Sequence, residues 1–319
     1  MRPVLIQFKL PVFGDVAFTA YFTLLTLGFA LAIYLTLREA KGLKMDYERL
    51  LDHDLWMVVW GIIGARVLHL VADGHFHDYV NLCTNSKLVP AIDARTNACT
   101  SAAQCGYDYL CDLATHKCYP PTDCFAWLKV WRGGLAYYGG FLFAVGFAIY
   151  YTRRHALGWW RTADLSSPGI ALGLFFGRLG CFLNGCCWGK VTQGSLGVVF
   201  PRGGAAWRSQ VDMHLISEAQ NTLPVHATQL YESIACLAIF VILYYVVRPT
   251  RRHFGDVFAW LLILYAIARS VIEIWRDDDR GVFFGGYIST SQLISIPLFL
   301  GGLGVLIYLR RRADPKTVG

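Results

Sequence analysis

The sequence predicts an all-α polytopic membrane protein with seven transmembrane helices. Of its 319 residues, 55% are hydrophobic and only 16% are charged, well below the roughly 25% charged residues of a typical soluble domain. Long apolar runs recur along the chain, and a helix of about 20 such residues crosses the apolar core of a bilayer. Basic residues collect at alternate ends of these runs. The predicted spans are residues 17–37, 54–73, 134–151, 166–184, 227–247, 256–275 and 290–309.

The first predicted span, residues 17–37, has the features of a retained helix. It is longer than the apolar core of a signal peptide and carries no small-residue cleavage site, so we expect it to remain in the protein. Basic clusters follow the first, third, fifth and seventh spans, and positive charge marks the cytoplasmic side. We therefore expect the N-terminus outside and the C-terminus in the cytoplasm. The clusters are Arg38, Lys41, Lys44 and Arg49; Arg153, Arg154 and Arg161; Arg248, Arg251 and Arg252; and Arg310, Arg311, Arg312 and Lys316.

Two polar segments interrupt the single seven-helix domain expected for residues 1–319. They are a cysteine-rich insert at 74–130 and a head-like loop at 185–225, and the predicted orientation places both outside the cytoplasm as a small cap. Six of the ten cysteines fall in the insert, which indicates a disulfide framework formed in an oxidising compartment. A zinc site is the alternative, but no CxxC pair of the zinc-ribbon type is present. These cysteines are Cys83, Cys99, Cys105, Cys111, Cys118 and Cys124, and their spacing leaves the pairing open.

Two arginines stand in or beside apolar runs, where a charge needs a partner. Arg178 follows the run 170–176 within a glycine-rich segment. Arg269 lies in the predicted sixth span, with Tyr265 and Glu273 four residues away on either side, so all three share one helix face. Arg178 could instead snorkel to the interface, and Arg269 could simply pair with Glu273. An anionic lipid headgroup is the ligand that such arginines favour.

Two further segments carry polar groups next to predicted spans. The segment 226–232 opens the fifth span and places Gln229 and Glu232 one helical turn apart. The segment 131–140 enters the third span with two glycine pairs around two tyrosines. A capped helix start and an interfacial tyrosine belt are the structural alternatives. Two more polar residues interrupt apolar runs and could line the same cavity, namely Tyr21 and Arg66.

Together these segments resemble the prolipoprotein diacylglyceryl transferase family of bacterial inner-membrane enzymes. The Gly-Arg-x-Gly-Asn-Phe signature of that family corresponds to residues 177–182, and its His-Pro-Ser-Gln-Leu-Tyr-Glu element corresponds to 226–232. Its Gly-Gly-x-x-x-His-Gly-Gly element corresponds to 133–140, and its sixth-span tyrosine, arginine and glutamate to Tyr265, Arg269 and Glu273. The departures from the family pattern are Tyr138 for its histidine, Cys181 for its asparagine and Cys186 for its glutamate.

The resemblance implies transfer of a diacylglyceryl group from phosphatidylglycerol to the lipobox cysteine of a preprolipoprotein, as the first step of lipoprotein maturation. The expected partners are phosphatidylglycerol, the signal peptides of preprolipoproteins and the bilayer, without nucleic acid. Arginines suffice to hold the leaving phosphate, so neither a metal nor another cofactor is expected. The expected location is the bacterial inner membrane, with the active site facing the periplasm.

The resemblance also implies roles for individual residues. Arg178 and Arg269 would hold the phosphate, and Glu232 and Glu273 would orient them or accept the thiol proton, with His226 a further candidate base. Tyr138 would position the headgroup beside these groups. The expected substrate-binding residues are Tyr21, Arg66, Gly139, Gly140, Asn184, His226, Gln229, Tyr231 and Tyr265.

Other functions stay open at this point. Tyr138 and Cys186 allow a catalytically diverged lipid-binding paralogue. Cys186 and Cys187 allow a membrane thiol–disulfide protein, although adjacent cysteines bond with strain and no CxxC motif is present. A transporter or channel is disfavoured because the predicted spans show no inverted repeat. The insert is expected to shape the access of lipoprotein substrates.

Overall fold

The computed structural model is predominantly helical. It describes residues 4–10, 14–71, 74–89, 99–101, 105, 109–130, 134–202, 204–276, 282–283 and 288–311. The α-helices are, in chain order, α1 (Ala20–Gly42), α2 (Tyr47–Val71), α3 (Phe76–Thr84), α4 (Tyr137–Arg154), α5 (Trp159–Asn184), α6 (Ala205–Asp212), α7 (Thr228–Ile242), α8 (Arg248–Thr250), α9 (Asp256–Ile272) and α10 (Thr290–Arg311). The strands pair two by two: β1 (Val4–Leu10) with β2 (Gly14–Thr19), β3 (Leu110–Asp112) with β4 (Lys117–Tyr119), β5 (Gly197–Val198) with β6 (Val225–His226), and β7 (Val282–Phe283) with β8 (Ile288–Ser289).

Each of the seven predicted spans coincides with a helix, but not all of them reach the same apolar length. Within the described residues, six helices are long and apolar enough to cross a membrane. The predicted third span is helix α4, whose 18 residues include four tyrosines and end on Arg153 and Arg154. Polar atoms in so short a helix lower its mean hydropathy, and α4 is therefore not among the six. They are Ala20–Gly42, Tyr47–Val71, Trp159–Asn184, Thr228–Thr250, Asp256–Trp275 and Ser291–Arg311.

The described chain divides into two compact units. The first comprises residues 18–51 and 152–319 together with the N-terminal residues to Ile6. In it, α1 packs closely on α5, because a Cβ on Gly169 would lie 3.0 Å from that of Ala32. A second core joins α7 and α9 through the fully buried Leu243 and Val257. A π-helical turn, Leu243–Val247, carries α7 into α8 and extends this helix to the basic end of the span.

Helix α9 of the first unit begins at a left-handed glycine and is capped from another helix. Gly255 has a φ of 112°, which an L side chain rarely adopts. The carboxylate of Asp164 on α5 accepts the backbone N–H groups of Gly255 and Phe258, both at 2.9 Å. These two bonds satisfy donors that the first helical turn leaves without partners, and they hold α9 against α5.

The second unit comprises residues 7–17 and 52–151. Its helices α2 and α4 cross at a contact between glycines, because a Cβ on Gly139 would come within 2.2 Å of the Gly64 carbonyl oxygen. A Cβ on Gly64 would in turn meet Gly139 and Phe143 at 2.4 Å. Small residues at this crossing let the two backbones approach one another.

The cysteine-rich insert lies in the second unit, and its six cysteines form three disulfides. Cys111 and Cys118 face each other across the β3–β4 pair, and each is bonded to a cysteine outside that pair. The predicted disulfide framework is therefore confirmed. The six cysteines are not free to bind zinc as thiolates, which argues against the zinc alternative. The pairs are Cys83–Cys124, Cys99–Cys111 and Cys105–Cys118.

Removal of a disulfide is expected to destabilise the insert more when the loop that it closes is longer. Cys83–Cys124 closes a loop of 41 residues and Cys99–Cys111 a loop of 12. Loop-closure entropy then gives a loss of about 4 kcal/mol for the first pair and about 3 kcal/mol for the second when both partners become alanine. Proteolysis under non-reducing conditions should cut the C83A/C124A protein faster than the C99A/C111A protein. Equal cleavage of both variants and the wild type would contradict this.

Candidate functional site

The centre of the candidate site is a buried ion pair between α5 and α7. Arg178 lies near the C-terminal end of α5, and its Nη2 is 2.9 Å from Oε1 of Glu232 at the start of α7. Glu232 is only 1% exposed. Charges in such surroundings are stable only in pairs with further hydrogen bonds. The pair thus joins the two segments that the sequence singled out independently.

Two groups, one within α9 and one just after it, complete the coordination of Glu232. Nη1 of Arg276 lies 3.4 Å from Oε2 of Glu232, and the hydroxyl of Tyr265 donates to Oε1 at 3.3 Å. One carboxylate therefore links two guanidinium groups, since Arg178 holds its other side. Arg276 follows the 3₁₀ turn Glu273–Trp275 and is itself 6% exposed.

The second ion pair of the site lies within the α9 segment. Nη1 of Arg269 is 2.7 Å from Oε2 of Glu273, as the shared helix face predicts. Nη2 of Arg269 donates to Oγ of Ser291 at 2.5 Å, which links α9 to the first turn of α10. Internal pairing, one of the two interpretations of Arg269, is thus present in the structure.

The contacts around Glu232 and the Arg269–Glu273 pair together contain three arginines and two glutamates, so their net charge is positive. All of them are at most 17% exposed. A guanidinium group offers planar, paired N–H donors that match a phosphate. The positive charge needed to balance a bound anion is therefore present before the anion binds. These residues are Arg178, Arg269, Arg276, Glu232 and Glu273.

A group of three cysteine thiols adjoins Arg178. Cys181 lies in the last turn of α5, and Cys186 and Cys187 follow Gly185, where the helix ends in the left-handed conformation with a φ of 71°. The three Sγ atoms lie within 4.8 Å of one another. The pKa of Cys187 is lowered because its sulfur accepts hydrogen bonds from the thiols of Cys181 and Cys186, with Arg178 contributing. A bond between Cys186 and Cys187, one possibility raised by the sequence, is not formed.

The backbone of this cysteine loop is held by residues of the 226–232 segment. Nε2 of Gln229 donates to the carbonyl of Cys186 at 2.6 Å, and the hydroxyl of Thr228 donates to that of Cys187 at 2.9 Å. Gln229 is fully buried. It supports the loop in this structure, and its expected role in substrate binding stays a prediction.

Other predicted residues of the first unit surround this centre. His226 and Tyr231 form a hydrogen bond of 3.1 Å between Nδ1 and the phenol oxygen. Tyr21 on α1 packs against Gly180, whose Cβ would lie 3.0 Å from the tyrosine ring. Asn184 ends α5 and is exposed.

The remaining predicted residues lie in the second unit. Tyr138 is 47% exposed in the first turn of α4. Gly139 lies at the α2–α4 crossing, and a Cβ on Gly140 would meet the Gly61 carbonyl oxygen of α2 at 3.0 Å. These glycines therefore serve helix packing, and their role toward a substrate stays a prediction.

Arg66, predicted to bind substrate, is a structural junction of the second unit. It is 6% exposed. Its guanidinium group donates to four backbone carbonyls and one phenol, which ties the end of the insert to α2. The acceptors are the carbonyls of Trp127 (2.7 Å), Gly134 (2.8 Å), Ala126 (2.9 Å) and Lys129 (3.2 Å) and the hydroxyl of Tyr79 (2.8 Å).

Arg66→Lys is expected to destabilise the protein although it keeps the charge. A single ammonium group cannot reach five acceptors spread around a planar fork, and buried carbonyls left without donors cost about 3 kcal/mol together. Thermal unfolding in detergent should show a lower midpoint. Arg154→Lys, at an exposed position on α4, is the matched control and should leave the midpoint unchanged. Equal midpoints for both variants would refute the structural role.

The structure adds to the candidate site one arginine that the sequence did not predict. Arg276 is not among the predicted site residues, yet it contacts Glu232 directly. A signal was available, since Arg276 comes seven residues after Arg269 and so returns to the same helix face. Ser291 carried no such signal, because its role depends on the contact between α9 and α10.

The fold and the site together define a helical membrane-type protein with a buried, arginine-rich network of ion pairs. Comparison with known proteins gives the family. The sequence model of the prolipoprotein diacylglyceryl transferase family matches residues 7–95 and 97–308, and the chain belongs to that family.

Individual relatives agree with this assignment. A phosphatidylglycerol–prolipoprotein diacylglyceryl transferase of Stenotrophomonas maltophilia is 37% identical over 193 residues, which cover 57% of this chain and 64% of the relative. A protein of the same name from Vibrio vulnificus is 33% identical, covering 60% and 65%. A third, from Dechloromonas aromatica, is 35% identical, covering 60% and 67%. The chain thus spans just under two thirds of the length of the first two relatives.

Proposed function

We propose that this protein transfers the diacylglyceryl group of phosphatidylglycerol to the lipobox cysteine of preprolipoproteins. The observation that carries the proposal is the bridge Arg178–Glu232–Arg276, with Arg269 on the same helix segment as Arg276. Family membership supports the same reaction. The names of the relatives state this activity for those proteins.

The reaction makes two demands on the site. The thiol must lose its proton to attack the glyceryl carbon that bears the phosphate. As the new sulfur–carbon bond forms, the carbon–oxygen bond breaks and glycerol 1-phosphate leaves with the electron pair. Its negative charge is most stable where oriented donors already exist. Arg178 and Arg276 meet this second demand, and Arg269 would add a third donor group.

The carboxylates then divide into two roles. Both oxygens of Glu232 are engaged by Arg178, Arg276 and Tyr265, so we assign Glu232 to positioning the arginines. Glu273 engages Arg269 through Oε2. The proton acceptor is then Glu273 or His226, which faces Tyr231 across 3.1 Å.

The arrangement in the membrane forms part of this proposal. We infer seven spans, with α4 as the third, and an orientation with the N-terminus outside. Basic residues at the ends of α4 and α10 support this orientation. The disulfide-bonded insert would then lie in the oxidising periplasm, on the side where the lipobox cysteine is presented.

A transfer assay tests the proposed reaction. The purified protein is incubated with phosphatidylglycerol labelled in its acyl chains and with a lipobox peptide. We expect the peptide to gain one labelled diacylglyceryl group, and a peptide with serine in place of its cysteine to gain none. Binding of phosphatidylglycerol without any transfer would overturn the proposal and favour a diverged lipid-binding paralogue, consistent with Cys181 and Cys186 standing at departures from the family pattern.

A further inference from the structure

The transfer reaction proposed above assigns no role to the three clustered thiols. All ten cysteines lie in the described chain, and six of them form disulfides. Three of the other four meet at the end of α5, namely Cys181, Cys186 and Cys187. The fourth, Cys236, is buried on α7. Such convergence of sulfur atoms on one point needs an explanation other than disulfide formation.

We propose that Cys181, Cys186 and Cys187 bind a thiophilic metal ion, Zn²⁺ or Cu⁺, through their three sulfur atoms. Thiolates are the protein ligands that favour these ions over Mg²⁺ or Ca²⁺. Metal–sulfur bonds of about 2.3 Å place the sulfur ligands of one ion about 4 Å apart. The present separations of at most 4.8 Å require only small rotations of the side chains. Cu⁺ is satisfied by three sulfurs, whereas Zn²⁺ would add a water or substrate atom.

The charges around the cluster fit a metal–thiolate complex. Three thiolates with Zn²⁺ carry one net negative charge, and with Cu⁺ they carry two. Arg178 and Arg276 are close enough to Cys187 to interact with it electrostatically. They would stabilise the anionic complex in its partly buried position, where an isolated negative charge would be costly.

The loop geometry holds the ligands together before any ion binds. Gln229 and Thr228 fix the carbonyls of Cys186 and Cys187. Cys187 has a φ of 63°, a left-handed conformation unusual for a residue other than glycine. Farther along, Gly189 pairs with the backbone of Arg276. A loop fastened at both ends loses little further freedom on binding, which favours a site over a chance grouping.

Metal titration of the purified full-length protein tests the site. The protein is reduced, freed of metal and titrated with Cd²⁺, whose thiolate complexes absorb in the ultraviolet, and then with Cu⁺. We expect a sulfur-to-metal absorption band that saturates at one equivalent. Cys181→Ser, Cys186→Ser and Cys187→Ser should each weaken the affinity by more than about a hundredfold, beyond the loss found for outer partners of a metal site. Cys236→Ala is the matched control and should bind as tightly as the wild type.

Two outcomes would overturn the proposal. One is a titration in which the reduced, monodisperse wild-type protein shows no sulfur-to-metal absorption band, or in which the serine variants show the same band as the wild type. The other is a count of thiols on protein purified without reductant: four are expected after removal of metal, whereas two would mean that a disulfide forms within the cluster. Gel filtration of each variant excludes misfolding as the cause of a lost band. The metal titration does not measure transfer. A failed transfer assay would therefore not contradict the metal site, and a failed metal titration would not contradict the proposed transfer reaction.

Discussion

Replacement of Arg178 by glutamine is expected to lower the rate of diacylglyceryl transfer by about a hundred- to a thousandfold, the range observed when one donor to a developing negative charge is removed. Glutamine keeps an N–H donor, but its side chain is shorter and lacks both the charge and the paired Nη atoms of the guanidinium group. Arg276, which shares Glu232 with it, would still be present. The loss should therefore appear mainly in kcat, because the charge on the leaving phosphate grows toward the transition state.

The control for this experiment is an arginine of the same protein outside the site. Arg310 is exposed at the end of α10, so Arg310→Gln should transfer at the wild-type rate. Binding of phosphatidylglycerol to both variants separates a loss of chemistry from a loss of substrate. Full activity in Arg178→Gln would show that this guanidinium group does not hold the phosphate.

The helices of this protein could be predicted from the sequence because membrane spans leave a local signal. Each predicted span depends on some twenty neighbouring residues, and each coincides with a helix. Helix α4 marks the limit of this reasoning. Its tyrosines and terminal arginines make its composition ambiguous, and only the alternation of basic ends argues that it crosses the bilayer.

The site was only partly predictable, because its contacts join distant parts of the chain. Arg276 and Glu232 are separated by 44 residues, and no local pattern shows that they meet. The Arg269–Glu273 pair, four residues apart, was one of the two interpretations of Arg269 and is present. Arg66 shows the same dependence on distant contacts, and its role in substrate binding stays a prediction. A buried arginine was predicted to bind substrate, but its donors are used by backbone carbonyls that only the folded insert brings near.

The cysteine cluster depends on backbone conformation rather than on spacing alone. Cys181 approaches Cys186 and Cys187 because Gly185 and Cys187 both adopt left-handed conformations and turn the chain back on the end of α5. In a continued helix, Cys181 and Cys186 would point in different directions, since five residues correspond to well over one turn. The sequence indicates three cysteines near an arginine, and the turn is what makes them neighbours.

Glu232→Gln is expected to be the most damaging single change to the stability of the site. Its carboxylate contacts both Arg178 and Arg276. Without it, two buried guanidinium groups lose the carboxylate that they share, at a cost of about 3–5 kcal/mol. We expect a lower unfolding midpoint in detergent together with a loss of transfer.

The control for this experiment is a variant that removes both the carboxylate and the repulsion between the two guanidinium groups. The double variant Glu232→Gln/Arg276→Gln removes the carboxylate and one of its two guanidinium partners, so Arg178 no longer faces the charge of Arg276. Its unfolding midpoint should therefore regain much of the decrease caused by Glu232→Gln alone. Transfer should stay low, because both the positioning carboxylate and one phosphate donor are absent. Recovery of stability without activity would show that Glu232 balances the arginines in the resting protein and positions them for the anion. A double variant as unstable as Glu232→Gln would mean that the carboxylate acts through other contacts, such as the hydroxyl of Tyr265.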